Sequence, residues 1–275
     1  MPLDFESQPL RELRKGRELQ WDPHAIELKR DRADWTALDT IEQGVLLGQV
    51  LGFFHGERAV AHDLAPLQQA LRRERGRMHE EMYLTQQMYE ESTHLEFFQR
   101  WMFEVLPGRI GESVARPPGG QTPIISEDMP RLLGALLTDG SPRAQMRATV
   151  CYHQIVEGVL AEVGYQAFYD CLDPKGIFPG LRTGLRNIQK DESRHIAFGT
   201  YLARRLVREN PELREAFVED MEYFRQPCLD AAAALYGHYE APYPFGLDPE
   251  STVAFTATLF RRRMDSVLSA TMVEA

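Results

Sequence analysis

At 275 residues, 43% hydrophobic and 26% charged, the chain is long enough for one sizeable buried core and is not of disordered composition. Its 41 acidic against 31 basic residues, a formal charge of -10, argue against nucleic acid as a partner and against adhesion to anionic lipid. No apolar run approaches the roughly 20 residues of a membrane span, and Met1 to Gln20 lacks the apolar stretch of a secretory signal, so no transmembrane segment and a cytoplasmic location are expected. Cys151, Cys171 and Cys228 have no CxxC spacing and read as reduced, ordinary thiols.

Taken in order, residues 1–30 form a charge-rich, proline-bearing segment expected to be irregular. A helix is predicted from near Asp34 past Ile41, Leu46, Val50, Phe53, Phe54 and Glu57, until Pro66 disturbs it. A second runs from about Arg77 through Leu84, Glu91, His94 and Trp101 and stops before Pro107. Pro107 to Pro123, with Pro117-Pro118-Gly119-Gly120, reads as a loop. A shorter helix over Glu127 to Leu137 follows. Ser141-Pro142 then reads as N-cap and first turn of a long helix that carries Tyr152 and Glu157 and closes before Asp173-Pro174. Further helices are expected over Pro179 to Arg208, with Glu192 and His195, over Pro211 to Gly237, and near Pro249 to Arg262, with the C-terminal end loosely ordered. Alternating strand patterns are nearly absent, and no solenoid repeat is visible. The economical reading is all-α, one domain over 1–275.

Two segments carry chemistry. Glu91-Ser92-Thr93-His94 and Glu192-Ser193-Arg194-His195 each set a carboxylate and an imidazole three residues apart, on one helix face. Glu57 and Glu157 are lone acids in otherwise apolar helix stretches, where burial is costly unless a cation neutralises them. One Glu followed by one Glu-x-x-His, twice over on four helices, is the ligand pattern of ferritin-like dinuclear bundles, so a ferritin-like four-helix bundle core with additional helices is expected. Mixed carboxylate and imidazole donors suit iron and manganese better than zinc or copper. Glu90 and Asp191, each just before a site glutamate, are positioned to accept the remaining N–H of the histidine on the opposite helix. His24, His55, His62, His79, His153 and His238 have no ligand role in this scheme. His153 is the substitute should one of the six fail.

The chain resembles the ribonucleotide reductase small-subunit-like ligand-binding oxidases, which assemble a manganese/iron cofactor. The resemblance runs from Trp21-Asp22-Pro23, through Asp31-Arg32-Ala33-Asp34-Trp35, to about Tyr239. Its specific parts are Gly56-Glu57-Arg58-Ala59-Val60, Glu81-Met82-Tyr83-Leu84-Thr85-Gln86, Glu90-Glu91-Ser92-Thr93-His94, Tyr152-His153-Gln154-Ile155-Val156-Glu157-Gly158 and Asp191-Glu192-Ser193-Arg194-His195. It implies a manganese site of Glu57, Glu91 and His94, an iron site of Glu157, Glu192 and His195, and Glu91 as bridge; the same donors also suit an Fe/Fe pair. It implies an ether link between Val60 Cβ and the Tyr152 phenol oxygen, made during activation of dioxygen, which makes Val60 and Tyr152 the candidate catalytic residues. A long-chain fatty acid ligand, a homodimer and oxidation of a hydrocarbon substrate are implied too. By the 3.6-residue period Tyr152 lies about 140° around its helix from Glu157 and is expected to flank the site without stacking on that ligand. His55 and Arg58 depart from the family, which has a small residue and an acid there.

Two other functions stay open. A ribonucleotide reductase small-subunit-like radical protein would have a tyrosine where Phe98 stands and an aspartate where Glu57 stands. A non-catalytic ferritin-like metal-binding protein would hold metal and ignore dioxygen.

Overall fold

A computed structural model of the chain describes residues 3–108, 122–237 and 239–269. Most of the expected Pro107 to Pro123 loop, and His238, lie outside the described residues. Among those described, the chain is helical with no strand, and no helix is long and apolar enough to cross a membrane. The three cysteines are free and buried.

The first correction is at the N-terminus. The segment expected to be irregular holds a helix: α1 (Gln8–Leu19) buries Pro9, Leu10, Leu13 and Gly16 along a narrow stripe, while charged residues occupy the rest of its surface. That stripe packs on α5 (Met78–Val105) and α9 (Pro179–Glu209). So few apolar residues among so many charges gave little amphipathic signal. The helix expected from Asp34 is also two helices, α2 (Lys29–Ala37) and α3 (Thr40–Asp63). Asp39 separates them and caps α3, its carboxylate accepting the N–H groups of Ile41 and Glu42 at 2.9 Å each. As expected, the helix stops just before Pro66, at Asp63, and Pro66 sits in the first turn of a new one, α4 (Ala65–Arg73), where its missing N–H costs nothing.

After a π-turn at Ile124–Asp128, α6 (Met129–Ala135) leads to α7 (Pro142–Thr149). Ser141 Oγ accepts the Ala144 N–H at 3.2 Å, the cap that Ser141-Pro142 predicts. The rod then continues through a twelve-residue π-helical stretch, Val150–Ala161, into α8 (Glu162–Leu172). Beyond α9 come α10 (Leu213–Ala234) and α11 (Pro249–Leu268). The loosely ordered end is a second correction as far as Leu268: Thr256, Leu259, Phe260 and Val267 of α11 are buried against the body of the protein, and only the residues from 270 on lie outside the described part.

The bundle core consists of α3, α5, the α7–π–α8 rod and α9. Two apolar clusters fill it, one with Val60, Leu84 and Phe198, the other with Phe54, Phe97 and Ile188. Along α3, α5 and α9 the candidate ligands fall between the two clusters. The start of α9, which sets where Glu192 and His195 sit, is held from α2. Buried Asp31 accepts the N–H groups of Gly180 and Leu181 at 2.8 and 2.7 Å and the Trp101 indole N–H at 2.8 Å. A carboxylate is well suited to the positive end of a helix. Asp34 beside it accepts the N–H of Phe178, a residue in the left-handed region at φ 53°. The approach is so close that a Cβ on Gly180 would meet Glu27 O at 2.7 Å.

Candidate metal centre

The six ligand candidates come from four parts of the bundle: Glu57 from α3, Glu91 and His94 from α5, Glu157 from the π stretch, Glu192 and His195 from α9. All six are buried, the two histidines completely. They converge into two groups whose donor atoms lie within 4.8 Å of one another, Glu57–Glu91–His94–Glu192 and Glu91–Glu157–Glu192–His195. Glu91 and Glu192 belong to both, so the two positions adjoin across a pair of shared carboxylates.

The donor spacing fits cations. His94 Nδ1 lies 3.5 Å from Glu57 and Glu91 oxygens and 3.4 Å from Glu192. His195 Nδ1 lies 3.1 Å from Glu91, 3.6 Å from Glu157 and 3.4 Å from Glu192. Ligands bound at roughly 2.0–2.2 Å to a common divalent ion stand about 3 to 3.5 Å apart. Moreover, Glu91 Oε2, His94 Nδ1, Glu157 Oε2, Glu192 Oε2 and His195 Nδ1 are buried with no hydrogen-bond partner. Polar atoms orphaned together at one point are expected of a metal site and costly otherwise.

The outer face of each imidazole is engaged as the sequence predicts. His94 Nε2–H donates to Asp191 Oδ2 at 3.2 Å and His195 Nε2–H to Glu90 Oε2 at 2.9 Å, which fixes both rings with Nδ1 toward the centre. Buried Arg194 joins the two acids, 2.6 Å from Glu90 and 2.7 Å from Asp191. Trp21 Nε1–H donates to Asp191 Oδ2 at 2.8 Å, and its ring stacks on His94 at 6.4 Å. Burial works against the Asp191 charge, yet hydrogen bonds from His94, Trp21 and Arg194 hold its carboxyl down at about 2.

Tyr152 lies beside the centre, its hydroxyl donating to Glu91 Oε1 at 2.9 Å, while Gln87 Nε2 reaches both Tyr152 (3.1 Å) and Glu157 (2.9 Å). The expected 140° between Tyr152 and Glu157 does not hold, because the stretch that carries them is π-helical and an i→i+5 register brings residues five apart toward the same face. Val60, one turn after Glu57, is buried in the same apolar cluster as Tyr152. His153 is excluded as a ligand from both groups. It is buried in the core beside Phe198, packed so tightly on α9 that a Cβ at Gly199 would lie 2.1 Å from its own Cβ. Of the two departures from the family, Arg58 is exposed and His55 is buried outside both groups.

The sequence matches, over residues 10–233, the family described as ribonucleotide reductase, small chain. The chain belongs to that family. Its fold is similar to that of an R2-like ligand-binding oxidase with an aerobically reconstituted Mn/Fe cofactor, at TM-score 0.88 and 31% identity over 96% of this chain and 94% of the other. A valine-to-alanine mutant of an R2-like ligand-binding oxidase, reconstituted anaerobically with Mn/Fe, matches at TM-score 0.87 and 31% identity over 96% and 95%. A glycine-to-phenylalanine mutant, reconstituted aerobically, matches at 0.89 and 30% over 97% and 99%. Membership in the family supports an oxidoreductase.

Sequence reasoning gave no role to Gln87, Trp21 or Arg194. Gln87 was within reach, since it lies one turn before Glu91 on the same face of α5. Trp21 becomes meaningful only through its contact with Asp191, and Arg194 through Glu90 on α5 as well as nearby Asp191.

The metal-free centre has a pH signature. Burial raises the Glu57 carboxyl from 4.5 to about 8, with neighbouring Glu91 and Glu192 adding to the rise and His94 opposing it. Burial opposes charge on His94 and His195, yet Glu57 beside the first and Glu91 beside the second outweigh it and raise both imidazoles well above their ordinary value. A folded state that holds protons the unfolded chain has released loses stability as pH rises. The metal-free protein is therefore expected to melt at progressively lower temperature from pH 4.5 to about 8. Because a cation must displace those protons, the rise in melting temperature on adding Mn(II) should grow over the same window. Thermal melts with chelator and with Mn(II) across that range check both slopes.

Proposed function

We propose that this chain is an oxygen-activating oxidase, one ferritin-like domain that holds a Mn/Fe pair between Glu57, Glu91, His94, Glu157, Glu192 and His195. The observation that carries the reading is the pair of buried donor groups sharing Glu91 and Glu192, with five donor atoms that have no other partner. An Fe/Fe pair would satisfy the same donors. When bound, such a pair supplies the redox equivalents for reaction with dioxygen.

The protein's part is positioning. Four glutamates can balance the charge of two divalent cations, so a closed, apolar bundle can hold them. Glu90, Asp191 and Arg194 keep the imidazoles oriented. The Tyr152 phenol stays protonated, since burial and then the Glu157 charge push it well above its ordinary value. Its oxygen is pinned between Gln87 and Glu91. That arrangement, with Val60 in the same buried cluster, supports an ether link between Val60 Cβ and the Tyr152 oxygen. Closing it removes one hydrogen from each residue, two protons and two electrons that dioxygen accepts. Val60 and Tyr152 are thus the proposed catalytic residues.

An apolar ligand of the long-chain fatty acid kind also fits. Phe53, one turn before Glu57, packs its ring at 4.9 Å from Tyr165, 5.4 Å from Phe168 and 5.5 Å from Phe98, an aromatic wall next to the carboxylates. A hydrocarbon substrate, a homodimer and a cytoplasmic location complete the proposal. Phe98, rather than a tyrosine, one turn beyond His94 speaks against the radical-protein alternative.

The test is mass spectrometry after aerobic loading with Mn(II) and Fe(II). The intact protein should lose two hydrogens, mapped to the peptides of Val60 and Tyr152, and neither Val60→Ala nor Tyr152→Phe should show that loss. An unchanged wild-type mass at full metal occupancy would sink the crosslink.

A further inference from the structure

Tyr83 is buried completely, and its hydroxyl has no hydrogen-bond partner. Phenylalanine would fill the same volume without stranding a polar group, so packing alone does not account for a phenol there. It lies on α5 one turn before Gln87, the residue that touches both Tyr152 and Glu157, and hence at the edge of the centre. Its ring stacks on Phe198 at 4.4 Å and 24°. Tyr201 also packs against Phe198, at 6.2 Å, and His153 links the same ring to Tyr152 at 5.8 and 4.5 Å. Tyr201 is only half-buried, and its hydroxyl donates to Glu80 Oε1 at 3.1 Å, within reach for proton transfer. Glu80 is in turn paired to Arg205, whose guanidinium also reaches Glu74 and the exposed Glu209.

We infer that Tyr83 and Tyr201, bridged by Phe198, form an oxidative escape route from the metal centre toward the surface, with Glu80 as the proton acceptor at its outer end. The inference rests on the dinuclear oxidase reading, because the oxidant is the centre after it has reacted with dioxygen. The step is one electron and one proton. Tyr201 gives up one electron, which passes inward through the packed Phe198 and Tyr83 rings, dioxygen being the ultimate acceptor; the Tyr201 O–H bond breaks and its proton passes to Glu80, so no proton has to leave Tyr83. Phe198 is too hard to oxidise to hold the charge and serves as a π-contact between two phenols. A one-electron reductant in solution, of the ascorbate or thiol class, then returns Tyr201 to the phenol. The benefit is that a centre charged without substrate discharges outward instead of oxidising its own ligands.

The test uses the full chain, loaded with Mn(II) and Fe(II) without added substrate, mixed with oxygenated buffer and freeze-quenched for electron paramagnetic resonance. Metal content and dioxygen consumption are measured on the same samples. The expected result is a phenoxyl signal that narrows when ring-deuterated tyrosine is incorporated, is lost in Tyr201→Phe and in Tyr83→Phe, and is removed by ascorbate. Oxidised Tyr201 should accumulate in wild-type peptides when the reductant is left out. Dioxygen consumption with no phenoxyl and an unmodified Tyr201, or a signal that persists unchanged in both variants, overturns the inference and leaves the oxidase reading standing. A chain that binds no metal or consumes no dioxygen overturns both.

Discussion

Glu91→Ala is expected to cost the protein both cations. Glu91 is one of two carboxylates common to the two donor groups, so its loss reduces each from four side chains to three. It also removes the acceptor of the Tyr152 hydroxyl at 2.9 Å. Loss of an outer hydrogen-bonding partner of a ligand lowers metal affinity roughly 10–100-fold, and loss of a shared ligand should exceed about 100-fold at both positions. Glu57→Ala is the contrasting variant, since Glu57 belongs to one group alone. It should retain one cation. Elemental analysis after desalting separates the outcomes, with circular dichroism as the check that both variants are folded. Retention of two cations by Glu91→Ala would mean that the positions are not joined through that residue.

The second large effect is on stability. Asp31→Ala should destabilise the chain by about 3–9 kcal/mol, because three buried donors lose their acceptor together and each orphaned group costs roughly 1–3 kcal/mol. Those donors are the N–H groups of Gly180 and Leu181 and the Trp101 indole. At roughly 2–4 °C per kcal/mol for a chain somewhat smaller than this, the melting temperature should fall by at least about 6 °C. Asp31→Asn, which keeps one acceptor oxygen, should fall between the two. Because Asp31 anchors the end of the helix that carries Glu192 and His195, Asp31→Ala should also bind Mn(II) more weakly. Calorimetry on the metal-free proteins and titration with Mn(II) measure the two effects. A change under 1 °C would show that water or a repacked α2 replaces the carboxylate.

What could be read from sequence, and what could not, divides along physical lines. The six side chains that the structure gathers were legible because their signals are local: Glu-x-x-His fixes a helix face, and an acid such as Glu157 amid Ile155, Val156, Val159 and Leu160 is out of place unless it has a partner. Glu90 and Asp191 followed from their adjacency to Glu91 and Glu192. The Ser141 cap was equally local. The π stretch was not, because Val150–Ala161 is buried almost all round and has no polar stripe whose period could betray a change of register. That one omission gave the wrong angle between Tyr152 and Glu157 around the helix. Asp31 and Asp34, read simply as part of a motif, owe their role to contacts with Phe178, Gly180 and Leu181, nearly 150 positions away. The helix over Gln8–Leu19 went unread since its stripe makes sense only against α5 and α9.

The central claim is that two adjoining cations in this bundle react with dioxygen. Its most direct test is to load the chain anaerobically with Mn(II) and Fe(II), count the metals, admit air and record the absorption spectrum. The account predicts one cation for each of the two donor groups and new absorption that develops only after air is admitted. A single bound cation, or two cations with a spectrum that stays featureless in air, would contradict it.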